Sequence, residues 1–169
     1  MIRDETLLER VFMDYLSEGD ALGPFEAWLM LRSPKTMPLR LDAQQERAQS
    51  ITSYLKSHPH VCQVYYVGDP DHPHYDLSCR QSSGFGAMIS FTTDTRERAE
   101  QVLERVRIIT FAESLGGVES LITYPTVQTH GSVPLEIREK LGITETLLRL
   151  SVGVEDVDDL IADLEQALA

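Results

Sequence analysis

From Val61 onward the chain switches repeatedly between two hydrophobic periods, and that order restricts its fold more than any other feature. Val61-Cys-Gln-Val-Tyr-Tyr-Val67 is dense in β-branched and aromatic residues and predicts a strand. Gly68 to His74 carries two prolines and turn-forming aspartates and predicts a loop. Phe85 to Phe91 alternates as a second strand. Asp94-Thr-Arg-Glu97 resembles a capping box and opens a helix with Ala99, Val102, Leu103 and Val106 inward. Arg107 to Phe111 predicts a short strand, residues 118–132 loop and turn, and Thr146 to Val152 another strand. Asp156 caps a last helix, on which Val157, Leu160, Ile161, Leu164 and Leu168 form one stripe. With 118–132 as connection, the order from about residue 60 is strand, strand, helix, strand, strand, helix. That order predicts an α+β layer: a small, largely antiparallel sheet with helices on one face.

The residues before this unit read differently. Leu8, Val11, Tyr15 and Leu16 fall at helical spacing over 4–17, and the Gly19 to Gly23 segment breaks that helix. Pro24 suits the first turn of a short helix, Phe25 to Arg32, which is apolar nearly all round and so is expected to be buried or to face a partner. Leu39 to Ser57 predicts a longer helix with Ala48, Ile51 and Leu55 inward, stopped by His58-Pro59-His60. The expected division is therefore linking helices over 1–58 and an α+β domain over 59–169.

At 169 residues the length suits one domain, and such a chain buries about two-thirds of its unfolded surface. A net charge of −12 argues against nucleic acid and anionic membranes as partners. The N-terminus has no apolar signal region and no apolar run matches a membrane span, and Cys62 and Cys79 do not make a disulfide scaffold. A cytoplasmic protein with free thiols is the expectation.

Three residues stand out chemically. Arg149 lies in an apolar strand between Leu148 and Leu150, and a guanidinium hidden there needs an anion. Two readings are open: an internal ion pair with Glu155 or Asp156, or a planar fork that grips a ligand carboxylate. Ser114 precedes Leu115-Gly116-Gly117, where glycines let backbone approach a ligand and the hydroxyl and amides donate to an anion; the alternative is a tight turn between strands. Glu113 either accepts a ligand ammonium or is a solvated charge. Imidazoles and thiols gather at His58, His60, Cys62, His72, His74 and Cys79, but their spacing fits no zinc pattern. A Ser114–His130 hydrolase lacks the strained nucleophile turn.

Several ordered motifs carry a family likeness. Gly23-Pro-Phe-Glu-Ala-Trp-Leu29, Lys35-Thr-Met-Pro-Leu-Arg40, Gly84-Phe-Gly-Ala-Met88, Ala112-Glu-Ser-Leu-Gly-Gly-Val-Glu-Ser-Leu121, Thr129-His130 and Leu148-Arg-Leu-Ser-Val-Gly-Val-Glu-Asp-Val157 follow one another at compatible spacing. The series resembles the C-terminal part of the pyridoxal-phosphate-dependent cystathionine γ-synthase and cystathionine γ-lyase family of cysteine and methionine metabolism, from about Gly23 to Ala169. The resemblance implies the C-terminal domain of a fold-type I pyridoxal-phosphate enzyme. It implies that Arg149 binds the substrate's α-carboxylate, that Ser114 helps at the same end, and that Glu113 lies toward the substrate's distal end, as in cystathionine-handling members. Ser33-Pro34 stands where the family has a glycine before the lysine–threonine pair.

The same resemblance implies what is elsewhere. Family members are more than twice this length, and their N-terminal part holds the cofactor phosphate, stacks on its ring and supplies the lysine that bonds it. Lys35, Lys56 and Lys140 are the three lysines here, and none has that lysine's serine–threonine context. The expectation is a substrate-side domain with no catalytic residue of its own and no specific pyridoxal phosphate site, inactive in isolation. It would work with the missing N-terminal half or a companion subunit, in a homo-oligomer, on a cystathionine or O-acylhomoserine type of substrate. Lyase and synthase stay undivided. A non-catalytic dimerisation or partner-binding module derived from the family is the alternative.

Overall fold

The computed structural model describes residues 2–19 and 21–169. They form two compact units, Met1–Pro38 and Leu39–Ala169. In the first unit, helix α1 (Glu5–Glu18) is capped by Asp4, whose carboxylate accepts from the Leu7 amide at 2.8 Å. Helix α2 (Pro24–Arg32) starts on its proline as expected. No residue of either helix is buried; Phe25 is 65% and Leu31 74% exposed. Of the two settings expected for α2, burial is therefore not found among the described residues.

The second unit contains helix α3 (Met37–Ser57, of which Leu39 onward belongs here), strand β1 (Val61–Tyr65), helix α4 (Tyr75–Gln81), strand β2 (Met88–Thr93) and helix α5 (Arg96–Arg105). Strands β3 (Thr110–Phe111) and β4 (Leu121–Thr123), helix α6 (Leu135–Lys140), strand β5 (Leu147–Ser151) and helix α7 (Val157–Leu168) complete it. The sheet order is β1-β2-β5-β4-β3, antiparallel except for the β3–β4 pair. The predicted α+β layer is thus the observed one.

Strand register sorts side chains between two faces because successive residues point to opposite sides. Val64 pairs with Phe91, Phe91 with Leu148, Ile89 with Leu150, and Leu150 with Ile122, so these side chains share one face. That face is the core. Ala48, Ile51 and Leu55 of α3, Ala99 and Val102 of α5, and Leu160, Leu164 and Leu168 of α7 close over it, each fully buried. The inward stripes expected on the three helices are therefore the ones used. The opposite face carries a polar row at one register level: Tyr65, Ser90, Arg149 and Thr123 from four successive strands.

Several elements differ from expectation. The stretch 118–132 contains β4, and helices α4 and α6 interrupt regions without a predicted element. The expected strand from Arg107 begins only at Thr110. The buried carboxylate of Asp163 on α7 accepts from the amides of Arg107, Ile108 and Ile109 at 2.9–3.0 Å, which diverts those donors from a sheet ladder. Helix α5 is capped by Thr95, whose hydroxyl accepts from the Arg98 amide, rather than by Asp94. Asp94 instead pairs with His60 and Arg98.

Candidate functional site

Arg149 sits at the middle of β5, the central strand, with Leu148 and Leu150 fully buried on the core side. Its own side chain therefore lies on the opposite face, between Ser90 of β2 and Thr123 of β4. The expected alternative, an ion pair with Glu155 or Asp156, does not form. The Glu155 carboxylate accepts from the Ser120 amide at 2.6 Å and its hydroxyl at 2.8 Å, while Asp156 caps α7 through the Asp158 amide. Among the described residues Arg149 has no carboxylate partner. Its Nη2 donates to Thr123 Oγ1 at 3.4 Å, and its Nε is buried without an acceptor. A buried, unsatisfied guanidinium nitrogen is costly and marks a place for an acceptor.

The segment 112–117 is held beside this arginine. Ala112 donates its amide to the Ile122 carbonyl, and Thr123 Oγ1 donates to the Ala112 carbonyl at 3.1 Å. Farther along, the Gly116 amide donates to Ser151 Oγ at 3.0 Å. Gly116 has φ +75°, a backbone setting that favours glycine. Gln44 of α3 donates to the Gly117 carbonyl at 2.6 Å. The far end is clamped by Ser120 and Glu155, and by the Gly153 amide donating to Ser120 Oγ at 2.9 Å. A side chain at Gly153 would meet the Val118 carbonyl, so glycine permits this approach.

Between these anchors Glu113 and Ser114 are exposed. The Ser114 amide donates to the Ala112 carbonyl at 3.2 Å, so the backbone there is a tight turn; among the described residues no partner of the Ser114 hydroxyl is found. Glu113 makes no ion pair among the described residues. Thus the fold anchors the Glu113–Ser114 turn to both strands that flank or carry Arg149. Of the residues performing that anchoring, Thr123, Ser151, Gln44 and Ser120 escaped sequence reasoning, and Glu155 was weighed only as an ion-pair partner of Arg149. Only Ser151 had a usable signal: it stands two positions from Arg149 and so on the same face of the strand.

Other candidates go elsewhere. His130 Nδ1 lies 2.7 Å from Thr129 Oγ1. His58 Nδ1 accepts from the His60 amide, His72 Nδ1 from the His74 amide, and both cysteines are exposed. A concavity of about 400 Å³ runs along β1, lined by Lys56, Cys62, Tyr65, Tyr66, Asp69 and His72; neither Arg149 nor the 112–117 segment borders it. Lys56 is paired with Asp69 at 2.7 Å and Asp71 at 3.4 Å, and the hydrogen bond it donates to Asp69 pushes its pKa further up. Lys35 and Lys140 are exposed. No helix among the described residues is long and apolar enough to cross a membrane.

Fold and site together define an α+β unit with an arginine on the sheet face opposite its helical layer, its Nε buried without an acceptor. The sequence matches the model for the Cys/Met metabolism PLP-dependent enzymes over residues 1–169. It is 46% identical over 166 residues to the chloroplastic cystathionine beta-lyase of Arabidopsis thaliana, covering 98% of this chain and 36% of that protein. It is 47% identical over 152 residues to the cystathionine gamma-lyase of Bacillus subtilis, covering 90% and 40%. Among solved structures it resembles cystathionine gamma-lyase from Lactobacillus plantarum complexed with L-serine: TM-score 0.85, 45% identity, 99% of this chain and 44% of that one. It also resembles cystathionine gamma synthase from Xanthomonas oryzae pv. oryzae in complex with cystathionine: TM-score 0.86, 41% identity, with the same coverage. The chain belongs to the Cys/Met metabolism PLP-dependent enzyme family. It spans between 36% and 44% of the length of these four relatives.

Proposed function

We propose that this chain supplies the substrate-carboxylate grip of a pyridoxal-phosphate-dependent trans-sulfuration enzyme, one that eliminates or replaces at Cγ of an amino acid such as cystathionine. Arg149 holds the α-carboxylate, Ser114 donates at the same end, and Glu113 faces the distal part of the substrate. The observation that carries the reading is the buried Arg149 Nε without an acceptor, on the face where the 112–117 segment is anchored. Relatives named for cystathionine chemistry support the substrate class.

The residues present do not fit the cofactor itself. A group that bonds the cofactor's aldehyde must be a lysine poised to lose its proton in a protected site. Lys56 is fixed as a cation by two aspartates, and Lys35 and Lys140 face solvent. Family chemistry is therefore completed by protein outside these residues, a further chain segment or a companion subunit, and the chain is inactive alone. The test is cystathionine turnover with added pyridoxal phosphate. The chain alone should give neither turnover nor a specific visible absorption band; mixed with the cofactor-bearing part of a relative it should give both. Turnover by the isolated chain would overturn the reading.

A second reading, a partner-binding or dimerisation module, is favoured by one observation. Helices α1 and α2 expose Leu7, Leu8, Phe12, Phe25, Trp28 and Leu31. Such apolar surface marks association.

A further inference from the structure

We propose that Thr123 is a positioning residue that sets Arg149 and the Glu113–Ser114 turn to one geometry; the inference rests on the carboxylate-grip reading. Thr123 is fully buried on β4, directly across the register from Arg149. A buried hydroxyl in a strand must satisfy both its donor and its acceptor capacity or destabilise the fold. Thr123 does so by bridging. Its hydrogen goes to the Ala112 carbonyl at 3.1 Å, and its oxygen accepts from Arg149 Nη2 at 3.4 Å. The carbonyl so held belongs to the residue before Glu113.

That one hydroxyl therefore fixes two things at once. By donating to Ala112 it is forced to present its lone pairs toward β5, where the guanidinium uses one. The guanidinium is thereby turned, with Nε left free for a ligand oxygen. A second peg, Gly116 to Ser151 Oγ at 3.0 Å, holds the other end of the turn to β5 two residues beyond Arg149. The turn is stretched between the pegs, so its height over Arg149 depends on the Thr123 hydroxyl. A planar fork discriminates by geometry, so losing its orientation weakens binding without removing its charge.

The test is an NMR titration of the full chain with L-cystathionine, following the amides of Gly116 and Gly117 and the Arg149 Nε–H signal, for the unaltered chain, Thr123→Val, Thr123→Ser and Arg149→Ala. Thr123→Val keeps the β-branched shape and removes the hydroxyl. It should weaken affinity about tenfold, the scale of one hydrogen bond to a charged group, and should speed exchange of the Gly116 and Gly117 amides before ligand is added. Thr123→Ser should restore affinity and protection together. If the valine variant does not fold, Thr123→Ala replaces it with the same expectations. Unchanged affinity and unchanged amides in Thr123→Val, with binding lost in Arg149→Ala, overturn the positioning role alone. No titratable shifts in the unaltered chain, or full binding in Arg149→Ala, overturn the carboxylate-grip reading and this proposal with it.

Discussion

Hiding Arg149 in an apolar strand without a carboxylate is unfavourable for the chain by itself, and proteins keep such residues where a ligand completes them. The fold tolerates it because the strand's other side chains supply the core and the guanidinium faces the polar row of Ser90 and Thr123. Arg149→Ala is therefore expected to leave the thermal midpoint nearly unchanged or raised. It should weaken carboxylate binding by about 1.5–3 kcal/mol, or roughly 10- to 150-fold, since a charge-assisted pair is lost. Calorimetric unfolding and an L-cystathionine titration check both halves. A large fall in the midpoint would show that Arg149 serves the fold. Arg149→Lys should recover less than half of the lost binding free energy, because a point charge does not reproduce the fork.

Two devices hold elements of the Leu39–Ala169 unit together. Asp163 gathers three consecutive amides at the end of the loop that follows α5. Asp163→Ala strands one fully buried and two half-buried donors, about 2–3 kcal/mol together, which lowers the midpoint by roughly 4–12 °C. At the α3–β1 junction His58 is buried, and its Nδ1 accepts from the His60 amide. Burial pushes its pKa down, against the pull of Glu165; Tyr54, His60, Asp94 and Arg98 complete its charged or titratable surroundings. A folded pKa below the unfolded value means that the unfolded chain binds the extra proton first. Stability is therefore present above the ordinary histidine range and falls as pH drops through it, levelling below the folded pKa. Thermal midpoints measured at about pH 7.5 and 5.5 should differ less in His58→Gln, which keeps an acceptor but does not titrate there. An equal difference would remove His58 from the account. The legible parts of the fold were those with long local periods: α3, α5, α7 and the strands β1, β2 and β5 needed only their own apolar spacing. β4 is three residues long, fully buried, and has no alternation to read; its strand character comes from pairing with β5. Asp163 acts across 54 to 56 residues, beyond any window of spacing. At the site, Arg149 was legible as a charge in an apolar run, whereas Thr123 was hidden by the same misread segment.

At the scale of the molecule the two units differ in self-sufficiency. Leu39–Ala169 encloses its own core, while α1 and α2 bury no residue. Helices of this composition gain most of their stability from packing. The isolated chain is expected to self-associate through the exposed side chains of α1 and α2, with the mass measured by light scattering rising with concentration. Phe25→Ser together with Trp28→Ser should return it toward a monomer. A clean monomer at high concentration would count against that surface as an interface. The central claim remains the grip at Arg149. The most direct measurement is a crystal structure of the chain soaked with L-cystathionine. The account predicts a ligand carboxylate accepting from Arg149 Nε, with the Ser114 hydroxyl turned toward the same end. A carboxylate held instead in the concavity along β1, or by Lys56, with the guanidinium untouched, would contradict it.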